Sequence, residues 1–417
     1  MDDTRPRSLE HPLPAGMRDL LPEEAASRRA LSRSILARFA AFGFRLVTPP
    51  AFELADVVER GLGAHALADV LRFIEPESGE VAVLRPDMTP QIARIVATRL
   101  RDHPPPYRIA YEGTVVRRRA GRAKKHRQIP QVGVELCGVP DGGADLELLE
   151  VAADALRSVG LARFTIDVSD AGIVRELVTG ANVTDARAEA LTSALAKKDE
   201  ARLAEAARGL AFERELCALP RLHGGRDALA SAVAILAASP AGPAARRLLD
   251  LFDAAALRGL GAHLSADAGE VRGFAYYTGT IFSIYADGPG EPIGGGGRYD
   301  ELLSRFGAPM PAVGLGLDLD ALGWALREAG GPLPSRDGVV IVGAHDDARA
   351  HELRARGVAT VAVSAREQAL AYARAWSFAL VWDGESVLDL RSDPENPSTT
   401  AAVDAVAALR VLEDGSR

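Results

Sequence analysis

Apolar residues fall at Leu31, Ile35, Phe39 and Phe42, a spacing that puts all four on one face of a helix. Glu23 and Glu24 open that segment, as acids at the positive end of a helix dipole should, and Gly43 supplies a stop. Residues 1–22 before it are irregular and proline-punctuated, closing on Gly16-Met17-Arg18-Asp19-Leu20-Leu21-Pro22. Residues 44–48 read as a strand running into Pro49-Pro50, and 80–84 as a strand running into Arg85-Pro86-Asp87-Met88-Thr89. A helix is expected from Pro90 to about Leu100. The runs 107–117 and 129–137 are strand-like and flank a short basic segment, which predicts an antiparallel hairpin, with a helix over 145–158.

From about 172 to 262 the pattern changes to alanine- and leucine-rich helical stretches broken at Gly180, Pro220, Gly224-Gly225 and Pro240. This predicts a small all-helical insertion. Sheet character returns over 271–285, followed by the glycine run 294–297 and a strand over 312–319 that leads into a helix. Gly330-Gly331-Pro332-Leu333-Pro334 has the composition of a linker. Beyond it, strands over 339–342, 358–363 and 378–382 alternate with helices, the pattern of a small α/β domain. The organisation read from the sequence is therefore a core over 1–329, a linker over 330–334 and a C-terminal domain over 335–417, with an α+β core.

Composition narrows the function. At 417 residues the chain has room for two or three domains, and 47% hydrophobic with 25% charged residues excludes a disordered chain. No window approaches the ~20 apolar residues of a membrane span, and MDDTRPRSLEHPLP lacks the apolar stretch of a signal peptide, so a cytoplasmic protein is expected. Cys137 and Cys217 are too few for a disulfide frame or a structural zinc site, and no metal or cofactor is expected. Only Lys124, Lys125, Lys197 and Lys198 are lysines; the arginine excess in so alanine-rich a chain reads as coding bias. With a net charge of −8, a nucleic-acid role would need a local basic patch.

Five segments carry candidate chemistry. In Arg85-Pro86-Asp87-Met88-Thr89-Pro90, Thr89 reads as a helix cap with proline at the first helical position; the functional reading gives the Asp87 carboxylate and the Thr89 hydroxyl to a ligand amine. The segment from Arg117 to Arg127 is the densest positive charge in the chain, either a solvated hairpin tip or a contact for an anionic partner. Gln131, Gly133 and Glu135 share one strand face, as a solvated surface or as the floor of a polar pocket. Val271-Arg272-Gly273-Phe274-Ala275-Tyr276-Tyr277 puts an arginine and paired tyrosines into an apolar strand, where the arginine needs a carboxylate partner if buried. Gly294-Gly295-Gly296-Gly297-Arg298-Tyr299-Asp300 is neither a P-loop nor a dinucleotide turn; its glycines permit close backbone approach to something bound.

Taken in order, these segments resemble the class II aminoacyl-tRNA synthetase core, and histidyl-tRNA synthetase in particular, over about residues 14–325. The resemblance implies an antiparallel sheet flanked by helices, and a histidine site made of Asp87, Thr89, Arg117, Gln131, Tyr277 and Tyr299, with Glu135 and Tyr276 as neighbours. Arg272 matches the arginine with which the synthetase activates the carboxylate. A carboxylate for the ammonium, an arginine for the carboxylate and glutamine or tyrosine for orientation suit a free amino acid.

The departures from that pattern are as specific. In Gly314-Leu315-Gly316-Leu317-Asp318-Leu319-Asp320-Ala321, Ala321 stands where the synthetase has an ATP-holding arginine. Arg119 replaces a glutamate, and Ala275 replaces the aspartate before the tyrosine pair. Each lost contact to a reacting centre costs ~2.7–4 kcal/mol. The C-terminal domain is similar to a shortened anticodon-binding domain, but it has no lysine and more acids than bases, so no tRNA partner is expected. These departures, with residues 85–94 and 219–225, resemble the synthetase paralogues that serve as regulatory subunit of ATP phosphoribosyltransferase. That resemblance implies a non-catalytic, histidine-sensing subunit of the first step of histidine biosynthesis. It also implies a self-associating dimer that joins a short-form catalytic subunit in a hetero-octamer of four copies each. The alternatives are a divergent histidyl-tRNA synthetase and a stand-alone amino-acid-binding module.

Overall fold

The computed structural model describes residues 13–62, 70–118, 126–271, 276–330 and 337–414. Contacts divide the chain into one unit of Met1–Asp19 with Arg28–Gly331 and a second of Leu20–Ser27 with Pro332–Arg417.

The helix predicted first runs over Pro22–Ala41 and buries Ile35 and Phe39, with Leu31 and Phe42 packed partly beside them. The heart of the first unit is a nine-stranded sheet. Its order is Arg45–Val47, Tyr107–Val116, Gln128–Cys137, Ala312–Asp318, Gly294–Arg298, Thr280–Tyr285, Thr165–Asp170, Leu264–Asp267, His223–Gly224. The Arg45–Val47/Tyr107–Val116 and Thr165–Asp170/Leu264–Asp267 pairs are parallel and the others antiparallel. Alternation gives the sheet two unlike faces. Val132, Val134, Leu136, Phe282, Ile284, Val313, Leu315 and Leu317 join the core with Leu148, Leu149, Ala152 and Leu156 of the helix Gly143–Ser158. The residues between them, Gln131, Gly133, Glu135, Gly314, Gly316 and Asp318, point the other way, and that polar, glycine-rich face carries the site.

A three-stranded sheet precedes the site: Val81–Leu84 lies between Phe52–Leu54 and Arg72–Ile74. The Tyr107–Val116 and Gln128–Cys137 strands pair as predicted, from Tyr107 opposite Cys137 to Val116 opposite Gln128. The stretch read as all-helical is not entirely so: among its helices, His223–Gly224 adds a short strand to the sheet's edge beside Leu264–Asp267. Two flanking strands, Thr165–Asp170 and Leu264–Asp267, escape sequence reading although Thr165-Ile166-Asp167-Val168-Ser169 and Leu264-Ser265-Ala266-Asp267 alternate, because each run is only four to six residues long. The strand expected over 271–285 shortens to Thr280–Tyr285, and Tyr276 and Tyr277 lie before it in irregular chain.

The second unit has its own five-stranded sheet, in the order Thr360–Val363, Asp337–Val342, Phe378–Trp382, Ser386–Asp389, Ser398–Ala401. The first three strands are parallel, and the last two add an antiparallel meander beyond the α/β pattern read from the sequence. Trp382 is buried at its centre, where the indole N–H donates to the Ala402 carbonyl at 2.7 Å and the Arg349 guanidinium lies 5.2 Å from the ring.

Candidate functional site

Five adjacent strands meet at the centre of the polar face, and the middle three carry glycine there. Tyr111 is opposite Gly133, Gly133 opposite Gly316, Gly316 opposite Gly295 and Gly295 opposite Ser283. The glycines leave a floor without Cβ atoms, and over it opens a cavity of about 410 Å³. Its walls come from the ends of the strands and from the segment before the helix Thr89–Thr98.

Eight of the nine residues expected to form a site line this one cavity: Asp87, Thr89, Arg117, Gln131, Glu135, Tyr276, Tyr277 and Tyr299. The ninth, Arg272, lies outside the described residues, as do Arg119 and Ala275. Glu135 is the innermost acid, 1% exposed. The Thr89 hydroxyl donates to its Oε1 at 2.7 Å, and the Tyr299 hydroxyl donates to its Oε2. Burial pushes the Glu135 carboxyl well above the usual carboxylate range; the bond from Thr89 opposes that shift and nearby Asp87 adds to it. Gly314 is opposite Glu135, and a Cβ at Gly314 would overlap that carboxylate, so the acid's position requires glycine there.

Thr89 therefore does not act as the helix cap that its place before Pro90 suggests. The helix begins at Thr89 itself, the cap position is Met88 with no side-chain hydrogen bond, and the Thr89 hydroxyl is committed to Glu135. Asp87 takes the local role instead: its Oδ1 accepts from the Thr89 backbone N–H at 3.0 Å. Arg117 is anchored to the same segment, its Nε donating to the carbonyl of Pro86, the residue before Asp87, at 3.2 Å. The tyrosines form a cluster, with the Tyr276 ring 4.7 Å from that of Tyr277 and edge-on to that of Tyr299 at 5.6 Å. Burial drives the Tyr276 hydroxyl pKa well above normal, so it stays a donor at physiological pH.

A family model described as histidyl-tRNA synthetase matches residues 16–322. An ATP phosphoribosyltransferase regulatory subunit from Geobacter sulfurreducens is 38% identical over 362 residues, 84% of this chain and 83% of that one. One from Anaeromyxobacter sp. (strain Fw109-5) is 45% identical over 335 residues, 78% of this chain and 95% of that one. The chain belongs to the ATP phosphoribosyltransferase regulatory subunit family. A crystal structure described as an ATP phosphoribosyltransferase regulatory subunit/histidyl-tRNA synthetase from Bacillus halodurans matches with a TM-score of 0.78 and 27% identity, covering 91% of this chain and 99% of that one. The fold is accordingly that of the class II, histidyl-tRNA synthetase-like proteins.

The cavity of this family member also has walls that sequence reading missed: Tyr111, Glu270, Ser283, Tyr285, Glu291, Pro292 and Asp318. Tyr111 and Asp318 were within reach, because each shares a strand face with residues already suspected. Glu270, Glu291 and Pro292 sit in irregular chain and join the wall only through the fold. Ala321 is not a wall residue. It is buried in the first turn of the helix Leu319–Glu328, while Asp318 caps that turn, its Oδ1 accepting from the N–H groups of Asp320 and Ala321 at 2.9 and 3.1 Å. At this wall the cavity therefore meets Asp318, an acid, while Leu319 after it is buried in the core. Among the described lining residues five are carboxylic acids (Asp87, Glu135, Glu270, Glu291 and Asp318) and one, Arg117, is cationic.

Proposed function

We propose that this chain is the non-catalytic regulatory subunit of ATP phosphoribosyltransferase, activating a short-form catalytic subunit and conferring feedback inhibition by histidine on the first step of histidine biosynthesis. The carrying observation is the convergence of Asp87, Thr89, Arg117, Gln131, Glu135, Tyr276, Tyr277 and Tyr299 on one cavity. Arg117 suits the ligand's carboxylate, Asp87 its ammonium, and Glu135 with the tyrosines its imidazole; Arg272 belongs to the same proposed site. Among the described lining residues, five acids to one arginine suit a small zwitterion better than a nucleoside triphosphate, which supports a sensor without adenylate chemistry. We place it in the cytoplasm, and the assembly is a hetero-octamer of four copies of each subunit, without tRNA, metal or cofactor.

Self-association as a dimer belongs to the same proposal. Phe52, Leu54 and Phe73 stand on one face of the three-stranded sheet and are each more than a third exposed, with Phe52 and Phe73 edge-to-face at 5.3 Å. An apolar face of this kind suits burial against a second copy.

The match of the histidyl-tRNA synthetase model keeps one second reading in view, a divergent synthetase. The deciding experiment measures phosphoribosyl-ATP formation by a short-form catalytic subunit, with and without this chain, across a histidine titration, beside histidine-dependent ATP–pyrophosphate exchange by this chain alone. Activation that histidine reverses, with no exchange, is the expected result. Robust exchange with no effect on the catalytic subunit would make the protein a synthetase.

A further inference from the structure

Tyr111 belongs to none of the five segments that first suggested a site. It lies in the strand Tyr107–Val116, directly opposite Gly133, whose own neighbour across the sheet is Gly316. The Tyr111 side chain is 3% exposed and lies over those two glycines. A Cβ at Gly133 would overlap the phenol, and a Cβ at Gly316 would come within 3.3 Å of its hydroxyl oxygen. The ring thus occupies the volume that two missing side chains leave on the cavity floor.

A buried tyrosine hydroxyl ordinarily finds a hydrogen-bond partner. Among the described residues no hydrogen bond is made by the Tyr111 hydroxyl, although Tyr111 lines the cavity beside Glu135, Asp87 and Tyr277. Burial and these acids hold its pKa well above the usual value, so it is a neutral phenol, able both to donate and to accept. A neutral hydroxyl in the floor, facing a cavity, is a group positioned for a polar atom of whatever occupies that cavity.

We infer that Tyr111 is a specificity-determining residue of this cavity, closing its floor and offering its hydroxyl to a ring nitrogen of the bound amino acid. The inference rests on the histidine reading proposed above. It adds a criterion: a ring of the right size without a ring nitrogen is rejected because the buried hydroxyl is left unpaired. Sites that hydrogen-bond a ligand discriminate in this way far more strongly than apolar pockets discriminate by size.

Calorimetric titration of the full chain with L-histidine and with β-(2-thienyl)-L-alanine, a five-membered ring without nitrogen, provides the test. For Tyr111→Phe we expect histidine affinity to fall about tenfold and the preference for histidine over thienylalanine to shrink by a similar factor. A purely structural tyrosine would weaken both ligands alike; an unchanged preference therefore overturns the inference. The substitution Gly316→Ala supplies a second arm, because the added methyl crowds the hydroxyl. It should weaken histidine binding, and Tyr111→Phe in the same chain should restore it to the level of Tyr111→Phe alone. Failure of that restoration also overturns the inference. If the unaltered protein binds no histidine, the proposed function itself fails and this inference with it, whereas histidine binding indifferent to Tyr111 and Gly316 removes only the latter.

Discussion

Glu135 combines deep burial with two hydroxyl donors, and its raised pKa has a thermodynamic consequence. A group whose folded-state pKa exceeds its unfolded value contributes stability below the unfolded pKa and loses that contribution as pH rises through the folded pKa. For Glu135 the unfolded value is that of an ordinary glutamate, and the folded value lies well above it. The empty protein should therefore lose stability as pH rises from the acid range toward the folded pKa. Glu135→Gln, which cannot ionise, should lack that component, so its melting temperature relative to the parent should climb with pH over the same window. A constant difference would show that Glu135 ionises freely. Gly314→Ala tests the same residue from beneath. Its Cβ would overlap the Glu135 carboxylate, and overpacking of this kind costs about 1–3 kcal/mol. Urea denaturation should show that loss, together with weaker histidine binding. Such detail was only partly legible in the sequence: alternation placed Gln131, Gly133 and Glu135 on one face, but the partner that makes Gly314 obligatory is nearly 180 residues away.

Among the elements, the glycine strand Gly294–Arg298 ends in the most buried ion pair of the first unit's described residues. Arg298 and Asp145 have side chains 9% and 5% exposed, and the Arg298 guanidinium donates to Asp145 through Nε at 3.0 Å and through Nη2 at 2.7 Å. The same guanidinium donates to the Asp141 carbonyl at 2.9 Å and to Asp300 at 3.1 Å. This ties the helix Gly143–Ser158 to the strand that delivers Tyr299 to the cavity. Burial pushes the Asp145 carboxyl up while Arg298 pulls it back, so the acid depends on its partner. Arg298→Met should destabilise by about 3–5 kcal/mol, because it leaves Asp145 buried and unpaired. Adding Asp145→Leu should recover much of that loss in denaturant titrations. No recovery would mean that the carbonyl contacts of Arg298, rather than the charge pair, hold the element. The sequence marked the glycine run as a place of close approach and stopped there. It did not reveal that the run is a strand, because glycine has no β propensity and the ladder on both sides of it is supplied by Thr280–Tyr285 and Ala312–Asp318.

For the whole molecule, sensing requires histidine to favour one state of the assembly, and couplings of this type are about 1–3 kcal/mol. Gln131→Ala and Tyr277→Phe should each raise the histidine concentration needed for half-inhibition of the complex at least tenfold, with co-purification of the catalytic subunit unaffected. Unaltered inhibition in both variants would remove these residues from the histidine site, and loss of co-purification would make them structural. A tRNA gel shift belongs beside these assays, since binding there would favour the synthetase reading. No described helix is long and apolar enough to cross a membrane.

What the sequence determined by itself was local or ordered along the chain. The helix Pro22–Ala41 follows from its apolar period, the paired strands Tyr107–Val116 and Gln128–Cys137 from alternation around a basic break, and the family from five segments in a fixed order. These features depend on neighbours a few residues away, or on succession, and both are written in one dimension. Tertiary structure alone decided that Thr89 serves Glu135 rather than its own helix, that Asp318 and not Ala321 meets the cavity, and that Tyr111 closes the floor. Each depends on which strands lie side by side. Register across a sheet joins residues far apart in sequence through backbone hydrogen bonds that every residue but proline can make, so no residue type along the chain announces its partner.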